Sequence, residues 1–174
     1  MKQIVLTYGF IAGAMAAAFM VVTLRFMDHG TKGLVLGYTG IVLAALMVYF
    51  GVRSYRENVG HGRISFGRAF GVGILITLIS CSCYVATWEL IYFKLAPGIT
   101  DKMFSGEVDR LKAAGAPQDQ IDAAALQVES FKKMYDNPLI NICFTFIEPF
   151  PVGLAMTLIS AAILRRKHEV PAIA

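Results

Sequence analysis

Four long apolar segments alternate with shorter polar ones along the chain. Three of them carry no formal charge, namely Gln3–Leu24, Gly33–Val52 and Ala69–Trp88. The fourth, Pro138–Leu164, is interrupted by a single charge at Glu148. Each segment is close to or longer than the ~20 residues that a helix needs to cross a hydrocarbon core about 30 Å thick. The pattern predicts an all-α integral membrane four-helix bundle.

We interpret residues 1–174 as a single membrane domain that carries one insertion. The predicted spans lie at about 4–24, 33–52, 67–93 and 138–164. The first span could instead be a signal peptide, because a basic residue, Lys2, precedes its apolar run. Because this run is longer than the ~7–15 apolar residues of a signal peptide, we expect it to remain in the membrane as a span.

The insertion, residues 97–137, is polar and has the pattern of a helical hairpin. Pro97 breaks the preceding span. A first helix is predicted near Thr100–Ala114, and Gly115 suits its C-cap because glycine adopts the left-handed conformation required there. Pro117 suits the first turn of a second helix, where no backbone donor is needed.

Both helices of the hairpin carry an apolar stripe. In the first helix the stripe consists of Phe104, Val108 and Leu111. In the second helix it consists of Ile121, Ala124, Val128, Phe131 and Tyr135. Steps of three and four residues place these side chains on one face, so we expect the stripes to face each other. Two helices this short cannot hold a core alone, which predicts further contact with the span ends, the membrane surface or a partner.

Basic residues outnumber acidic ones in two polar segments, the link between the second and third spans and the C-terminal tail. They are Arg53, Arg56, Arg63 and Arg68 in the link, and Arg165, Arg166 and Lys167 in the tail. By the positive-inside rule both segments face the cytoplasm of a bacterial inner membrane, which places both termini there and the hairpin outside. The net charge of +4 then reflects topology, and we expect no nucleic-acid partner.

Cysteine and histidine are not spaced as in metal or cofactor sites. The three cysteines, Cys81, Cys83 and Cys143, fall inside predicted spans, where small packing residues are expected. The three histidines lie in separate polar segments. We find no phosphate-binding loop, nucleophile elbow or zinc-protease motif. The sequence therefore predicts no metal, no cofactor and no catalytic residue.

Glu148 is the most unusual residue of the predicted spans. About ten helical residues beyond Pro138 place it roughly 15 Å deep, where a charge costs at least ~2.5–3.5 kcal/mol. Asn137, Asn141, Thr145 and Glu148 follow at steps of four, four and three residues on one helical face. One interpretation is a water-accessible path to a proton or cation site at Glu148. The other is a protonated Glu148 that donates a hydrogen bond within the bundle, and both remain open.

Pro149 and Pro151 complete the candidate site because each removes a backbone donor from the span. A simple kink is favoured over a break that exposes carbonyl oxygens to an ion. Glu89 is a weaker candidate. Counting ~1.5 Å per residue places it about 30 Å along the third span, at the outer interface beside Trp88 and Tyr92, where a solvated carboxylate is expected.

Two further patterns in the spans favour helix packing. Thr77, Ser80, Tyr84 and Thr87 form a mildly polar stripe on the third span. Glycines recur at the four-residue spacing of close helix crossings, as the pairs Gly9 and Gly13, Gly33 and Gly37, and Gly67 and Gly71. Both patterns predict contacts between helices and indicate no chemistry.

Several short stretches are also typical of one kind of membrane protein. They are KQIVLTYG at 2–9, GVRSYR at 51–56, ISFGRAF at 64–70, WE at 88–89, NPL at 137–139, Glu148, PVG at 151–153 and ISAAILRR at 159–166. In these stretches the chain resembles an uncharacterised bacterial membrane protein family, the domain of unknown function four-one-nine-nine. The resemblance implies four membrane helices and supplies no activity, substrate or site residue.

These observations favour a non-enzymatic structural or interaction component of the membrane. The apolar stripes of the hairpin and the glycine-lined spans suit a homo-oligomer or a membrane-protein partner. We expect the rest of the span surface to contact the lipid bilayer. The alternative is a small transporter or proton- or cation-coupled carrier that uses Glu148. A lipid-modifying enzyme would need a second acid at the same depth, and the sequence offers only Glu89.

Overall fold

A computed structural model describes residues 1–24, 31–96 and 98–165, without the side chains of 31–34, 100–105 and 107. The first three helices are α1 (Lys2–Leu24), α2 (Thr31–Asn58) and α3 (Phe66–Leu90), and a π-helical turn (Ile91–Leu95) continues α3. They are followed by α4 (Ile99–Ala113), α5 (Gln118–Tyr135), α6 (Pro138–Ile147) and α7 (Phe150–Leu164). The described residues contain no β-strand, and the predicted all-α fold class is confirmed.

Within the described ranges, four helical segments are long and apolar enough to cross a membrane. They are Lys2–Leu24, Val35–Asn58, Phe66–Leu95 and Pro138–Leu164, the last of which contains both α6 and α7. By its internal contacts the chain divides into two compact units. The bundle unit consists of Met1–Tyr84 and the chain from Phe146 onward, and the hairpin unit consists of Val85–Thr145.

The bundle unit has an apolar core to which α1, α2, α3 and α7 all contribute. Buried side chains at its centre include Val5, Val48, Val52, Val72, Ile76 and Ala161. Their burial is typical of closely packed helices, where dispersion contacts rather than a hydrophobic driving force hold membrane helices together.

Glycines allow the helices of the bundle unit to approach closely, as the four-residue spacing predicts. A Cβ atom on Gly9 would lie 2.8 Å from Cγ2 of Ile79, so α1 and α3 touch there. Gly13 is similarly covered by Cys83. The prediction is wrong for Gly67 and Gly71, because nothing among the described residues lies within 4 Å of a Cβ built on either glycine.

Two of these close approaches are reciprocal and join α3 to α7. A Cβ atom on Gly73 of α3 would lie 2.8 Å from Cγ2 of Thr157 on α7. In the other direction, a Cβ atom on Gly153 of α7 would collide with Cγ2 of Thr77 on α3. Each helix thus offers a glycine and, four residues later, a threonine, and the threonine of one helix lies on the glycine of the other. We call this contact the glycine–threonine crossing.

The hairpin unit contains α4 and α5, which pack against each other. The amide of Ala116 donates to Leu111 O at 3.0 Å and that of Gly115 donates to Lys112 O at 3.1 Å, which is the pattern of a Schellman motif. Gly115 has φ +66°, the left-handed conformation that its place at the end of the first helix requires. Pro117 lies at the N-cap, one residue before α5 begins.

The stripe on α5 also contacts the ends of the apolar helices within the hairpin unit. The ring of Phe131 lies 5.9 Å from that of Phe144 on α6, and the ring of Tyr135 lies 5.6 Å from that of Tyr92 in the π-helical turn. Ile121 of the same stripe is buried. Phe104 of the predicted α4 stripe lies outside the described side chains. These aromatic contacts add the packing that two short helices lack by themselves.

Candidate functional site

The helix between Pro138 and Leu164 is interrupted at Glu148 and Pro149, between α6 and α7. Pro149 has φ −82° and ψ −22°, in the right-handed helical region, so the chain bends without unwinding. Because Pro151 has no N–H, the carbonyl oxygen of Ile147 has no donor four residues ahead. Helical hydrogen bonding resumes where the amide of Gly153 donates to Pro149 O at 3.0 Å. The interruption is therefore a short kink.

Glu148 lies at this kink and accepts a hydrogen bond from a side chain of α3. The hydroxyl of Tyr84 donates a hydrogen bond to Glu148 Oε2 at 2.9 Å. Tyr84 itself is 9% exposed, whereas Glu148 is exposed at the surface of the protein. The carboxylate thus faces outward from the helices and is anchored on one side by a buried phenol. A hydrogen bond to a carboxylate is about twice as strong as one between neutral groups.

Next to this pair, a hydroxyl contact joins α3 and α7 at the glycine–threonine crossing. Thr77 Oγ1 donates to Gly153 O at 3.3 Å and lies 3.1 Å from Thr157 Oγ1. Thr77 is 2% exposed and Thr157 is fully buried. Both hydroxyls have partners inside the protein, which is the condition for burying polar groups at low cost.

A small cavity of about 20 Å³ lies between these two contacts. Its walls from α3 include Thr77, Ser80 and Tyr84, and Pro149 and Gly153 close it from the kink and α7. Small residues such as Ala44 of α2 complete the lining. Three of the four residues of the polar stripe that we interpreted as a packing face therefore line one cavity beside the Glu148 kink.

Asn141 and Thr145, which the sequence placed on a path toward Glu148, belong to the hairpin unit and have protein partners there. Thr145 Oγ1 donates to Asn141 Oδ1 at 3.2 Å, and Asn141 Nδ2 donates to Tyr135 O at 3.2 Å. Asn141 is fully buried and Thr145 is 5% exposed. Asn137 is exposed and caps its own helix by accepting from the amide of Leu139 at 3.0 Å. These contacts favour packing over a water path for Asn141 and Thr145.

Glu89 also lies in the hairpin unit, and it is half-buried. Its Oε1 atom is buried and has no hydrogen-bond partner among the described residues, and the same holds for Nε1 of Trp88. Trp88 and Tyr92 are each 7% exposed, so both are packed inside the protein. Tyr92 donates to Asp136 Oδ1 at 2.5 Å. The π-helical turn begins two residues after Glu89. Single π-helical turns within α-helices are frequent at functional sites.

Residues 7–166 match the family described as "Protein of unknown function (DUF4199)". The chain belongs to this family. Comparison with curated proteins and with solved structures gave no match. The match covers the Tyr84–Glu148 pair, the kink and the glycine–threonine crossing, so all of these lie inside the DUF4199 region.

The described part of this DUF4199 chain contains no group of three or more histidine, cysteine, aspartate or glutamate side chains that could hold a metal ion. The polar groups next to Glu148 include the phenol of Tyr84 and the hydroxyls of Ser80 and Thr77. Such a set can donate and accept hydrogen bonds.

Sequence reasoning missed two contacts of the candidate site, namely Tyr84 as the partner of Glu148 and Thr157 as the partner of Thr77. A signal for the first was present. Counting ~1.5 Å per residue from Ala69 places Tyr84 about 22 Å along its span, and counting from Leu164 places Glu148 about 24 Å along its own. Tyr84 and Glu148 therefore lie at similar depths when both are counted from the same side of the membrane. We counted Glu148 from Pro138, at the opposite end of its span, and so did not compare the two depths.

Proposed function

We propose that this DUF4199 protein is a non-enzymatic, multi-pass component of the bacterial inner membrane. It assembles with itself or with another membrane protein through the helix surface that carries Glu148. The observation that supports this function is the outward exposure of Glu148 in the middle of a helix that is apolar enough to cross the membrane.

An exposed carboxylate at this depth needs more than one hydrogen bond. Charges near the centre of a span cost ~2.5–3.5 kcal/mol even by insertion scales, and lipid tails supply no donor. Tyr84 donates to one oxygen, Oε2. A neighbouring helix that covers Glu148 excludes lipid and supplies the remaining polar contacts, which gives assembly its driving force.

The surface around Glu148 is suited to such a contact. We call it the Glu148 face, and it consists of the exposed residues Glu148, Pro151, Ala155, Leu158 and Ala162. Steps of three and four residues align them on one side of α7. Ala155 and Ala162 leave room for close backbone approach, as in membrane helix pairs joined by small residues.

The hairpin offers a second surface for a partner. Leu126 and Met134 on α5 are 65% and 39% exposed, respectively, in a segment that we place outside the membrane. Exposed apolar side chains in an aqueous segment are typical of interaction sites.

Cysteine crosslinking in native membranes tests assembly through the Glu148 face. Ala155→Cys and Ala18→Cys are compared in a chain whose native cysteines are replaced, since both alanines are exposed and lie in apolar helices. We expect a short bis-maleimide to link Ala155→Cys into a dimer or a defined larger complex and to leave Ala18→Cys monomeric. Equal products from the two positions, or a monomer in both cases, would contradict the proposal.

The proposed topology places both termini in the cytoplasm and the hairpin outside, and it rests on the basic residues next to the spans. A membrane-impermeant thiol reagent tests it on intact cells with Ala125→Cys in α5 and His61→Cys in the α2–α3 link, both exposed positions. We expect Ala125→Cys to react in intact cells and His61→Cys to react only after permeabilisation. The reverse order would overturn the orientation.

A second candidate function, a small proton- or cation-coupled carrier, is favoured by the Tyr84–Glu148 pair at a kinked helix. A carboxylate at such a kink is able to take up and release a cation or proton. Flux into liposomes that contain the purified protein tests this function. Transport that is lost in Glu148→Gln, with assembly retained, would favour the carrier over the interaction role.

A further inference from the structure

One end of the bundle unit carries an unbalanced positive charge, and we call it the basic end. Among the described side chains, a single acidic residue, Glu57, accompanies six basic ones there. The basic residues come from the ends of four helices and from the α2–α3 link, and they are Lys2, Arg53, Arg56, Arg63, Arg68 and Arg165. All of them except Arg56 are exposed, so their charges face the surroundings of the protein.

Contacts between the helices bring these distant parts of the sequence together. A Cβ atom on Gly40 would meet Phe19, and one on Gly51 would meet Tyr8, so α1 and α2 run antiparallel. The same register brings Lys2 to the last turn of α2. The glycine–threonine crossing likewise makes α3 and α7 antiparallel and brings Arg165 to the start of α3. The positive-inside rule requires basic residues near the membrane, but it does not require them to converge.

Glu57 offsets only part of this charge. Its Oε1 atom accepts from Arg53 Nε at 2.9 Å and from Arg56 Nη2 at 3.3 Å, so two guanidinium groups share one carboxylate oxygen. The Arg56 side chain is only 20% exposed, and its Nε atom is buried without a hydrogen-bond partner among the described residues. Because water screens a partly buried charge less, this guanidinium strengthens the attraction of the basic end for anions.

The surface next to Arg68 becomes apolar toward the middle of the span. Arg68, Gly71, Leu75 and Leu78 follow at steps of three, four and three residues on one side of α3, which we call the Arg68 face. Leu75 and Leu78 are 38% and 39% exposed, and no described atom lies within 4 Å of a Cβ built on Gly71. A cation at the head of an open apolar face suits a molecule with an anionic headgroup and a hydrocarbon chain better than a soluble anion.

We propose that the basic end binds the headgroup of an anionic phospholipid, with an acyl chain lying along the Arg68 face. Guanidinium groups bind phosphate oxygens through charge-assisted and often paired hydrogen bonds, which gives the headgroup a defined position. Basic residues attract anionic lipids more than zwitterionic ones because the latter carry no net charge. Assembly through the Glu148 face does not require this lipid, so the inference goes beyond the proposed function.

Tryptophan quenching by phospholipids with brominated acyl chains tests the proposal in the full chain. Leu75→Trp places the probe on the Arg68 face, and Ile142→Trp is the control, since Ile142 is 38% exposed in α6, away from the basic residues that flank the other end of its span. Both are made with Trp88→Phe, which removes the single native tryptophan. At Leu75→Trp we expect phosphatidylglycerol to bind about fivefold more tightly than phosphatidylcholine, and at Ile142→Trp we expect equal binding.

A second pair of variants assigns the preference to the basic end. Arg68→Gln should lower the preference at Leu75→Trp by about fivefold, the effect of one basic residue near an anionic surface. Arg110→Gln is the matched control, because Arg110 is an exposed arginine on α4 of the hairpin, and it should leave the preference unchanged. If Trp88→Phe fails to fold, Trp88 is retained and its quenching in the chain without an added tryptophan is subtracted.

Equal binding of the two lipids at Leu75→Trp would overturn the proposal, and so would an undiminished preference in Arg68→Gln. Inorganic phosphate at constant ionic strength separates a lipid from a soluble anion. A preference that phosphate abolishes would contradict a lipid site. The crosslinking experiment at Ala155 is independent of these results. A lipid preference in a monomeric chain would refute only assembly, and a crosslinked chain without the preference would refute only the lipid site.

Discussion

The hydroxyl of Tyr84 lies 2.9 Å from Glu148 Oε2, although 64 positions separate the two residues along the chain. The bond joins the third apolar helix to the kink in the fourth. It gives the exposed carboxylate a fixed partner on its protein side and leaves the other side to a neighbour, water or lipid.

Removing the phenol hydroxyl should weaken the bundle unit. Tyr84→Phe is expected to lower the free energy of unfolding by about 1–3 kcal/mol, because it removes a hydrogen bond to a carboxylate. Tyr38→Phe is the control, since Tyr38 is 53% exposed on α2, and it should change stability by less than about 0.5 kcal/mol. Unfolding in mixed micelles measures both changes. Equal losses in the two variants would show that the Tyr84 bond contributes nothing specific.

The glycine–threonine crossing should tolerate no added methyl group on α7. Gly153→Ala drives the new Cβ into Cγ2 of Thr77 and is expected to cost about 1–3 kcal/mol. Gly71→Ala, which adds the same methyl group in open space, should change little. Thr77→Ser removes Cγ2 and keeps the hydroxyl, so the double variant should recover part of the loss. The absence of any rescue would place the strain elsewhere.

The buried oxygen of Glu89 predicts an unusual response to mutation. Glu89→Gln is expected to leave stability unchanged or to raise it by up to about 1 kcal/mol, because it removes charge from a group with a buried, unpartnered atom. Tyr92→Phe in the same unit breaks the bond to Asp136 and should cost about 1–2 kcal/mol. A clear loss of stability in Glu89→Gln would indicate that the carboxylate has an essential partner in the membrane.

The hairpin offers a test of pH dependence. Lys133 Nζ lies 2.8 Å from Glu129 Oε1, and this hydrogen bond lowers the pKa of the Glu129 carboxyl. The folded-state pKa is therefore below the unfolded one. The contribution to stability is fully present above the ordinary glutamate pKa of ~4.3 and is lost as the pH falls through the lowered value. Since both side chains are more than half exposed, the contribution is small.

Carbon NMR of labelled glutamate measures this pKa directly. Lys133→Gln should raise the pKa of Glu129 toward its ordinary value, whereas Lys112→Gln on α4 should leave it unchanged. A Glu129 titration that does not respond to Lys133→Gln would mean that the ion pair does not persist in solution.

The helices and the hairpin turn could be predicted from sequence because their causes are local. An uncharged run of twenty residues has no stable alternative to a helix in a bilayer, and Gly115 adopts the one conformation that ends α4 in a Schellman motif. These features depend on residues a few positions apart. The fold class therefore follows from the sequence pattern.

The candidate site could be predicted only in part because its contacts depend on how helices rotate against one another. Glu148 and the prolines were identified from their chemistry, but the partner of Glu148 lies on α3. Periodicity shows which residues share a face, and it does not show which face meets which helix. For the same reason the spacing of Gly67 and Gly71 predicted a contact, although both glycines point to open space.

The glycine–threonine crossing restricts how α3 and α7 can move. Sliding one helix past the other by a single turn, about 5.4 Å, would bring threonine against threonine in one direction and glycine against glycine in the other, which creates a collision or a void. The two helices are therefore interlocked against piston-like displacement.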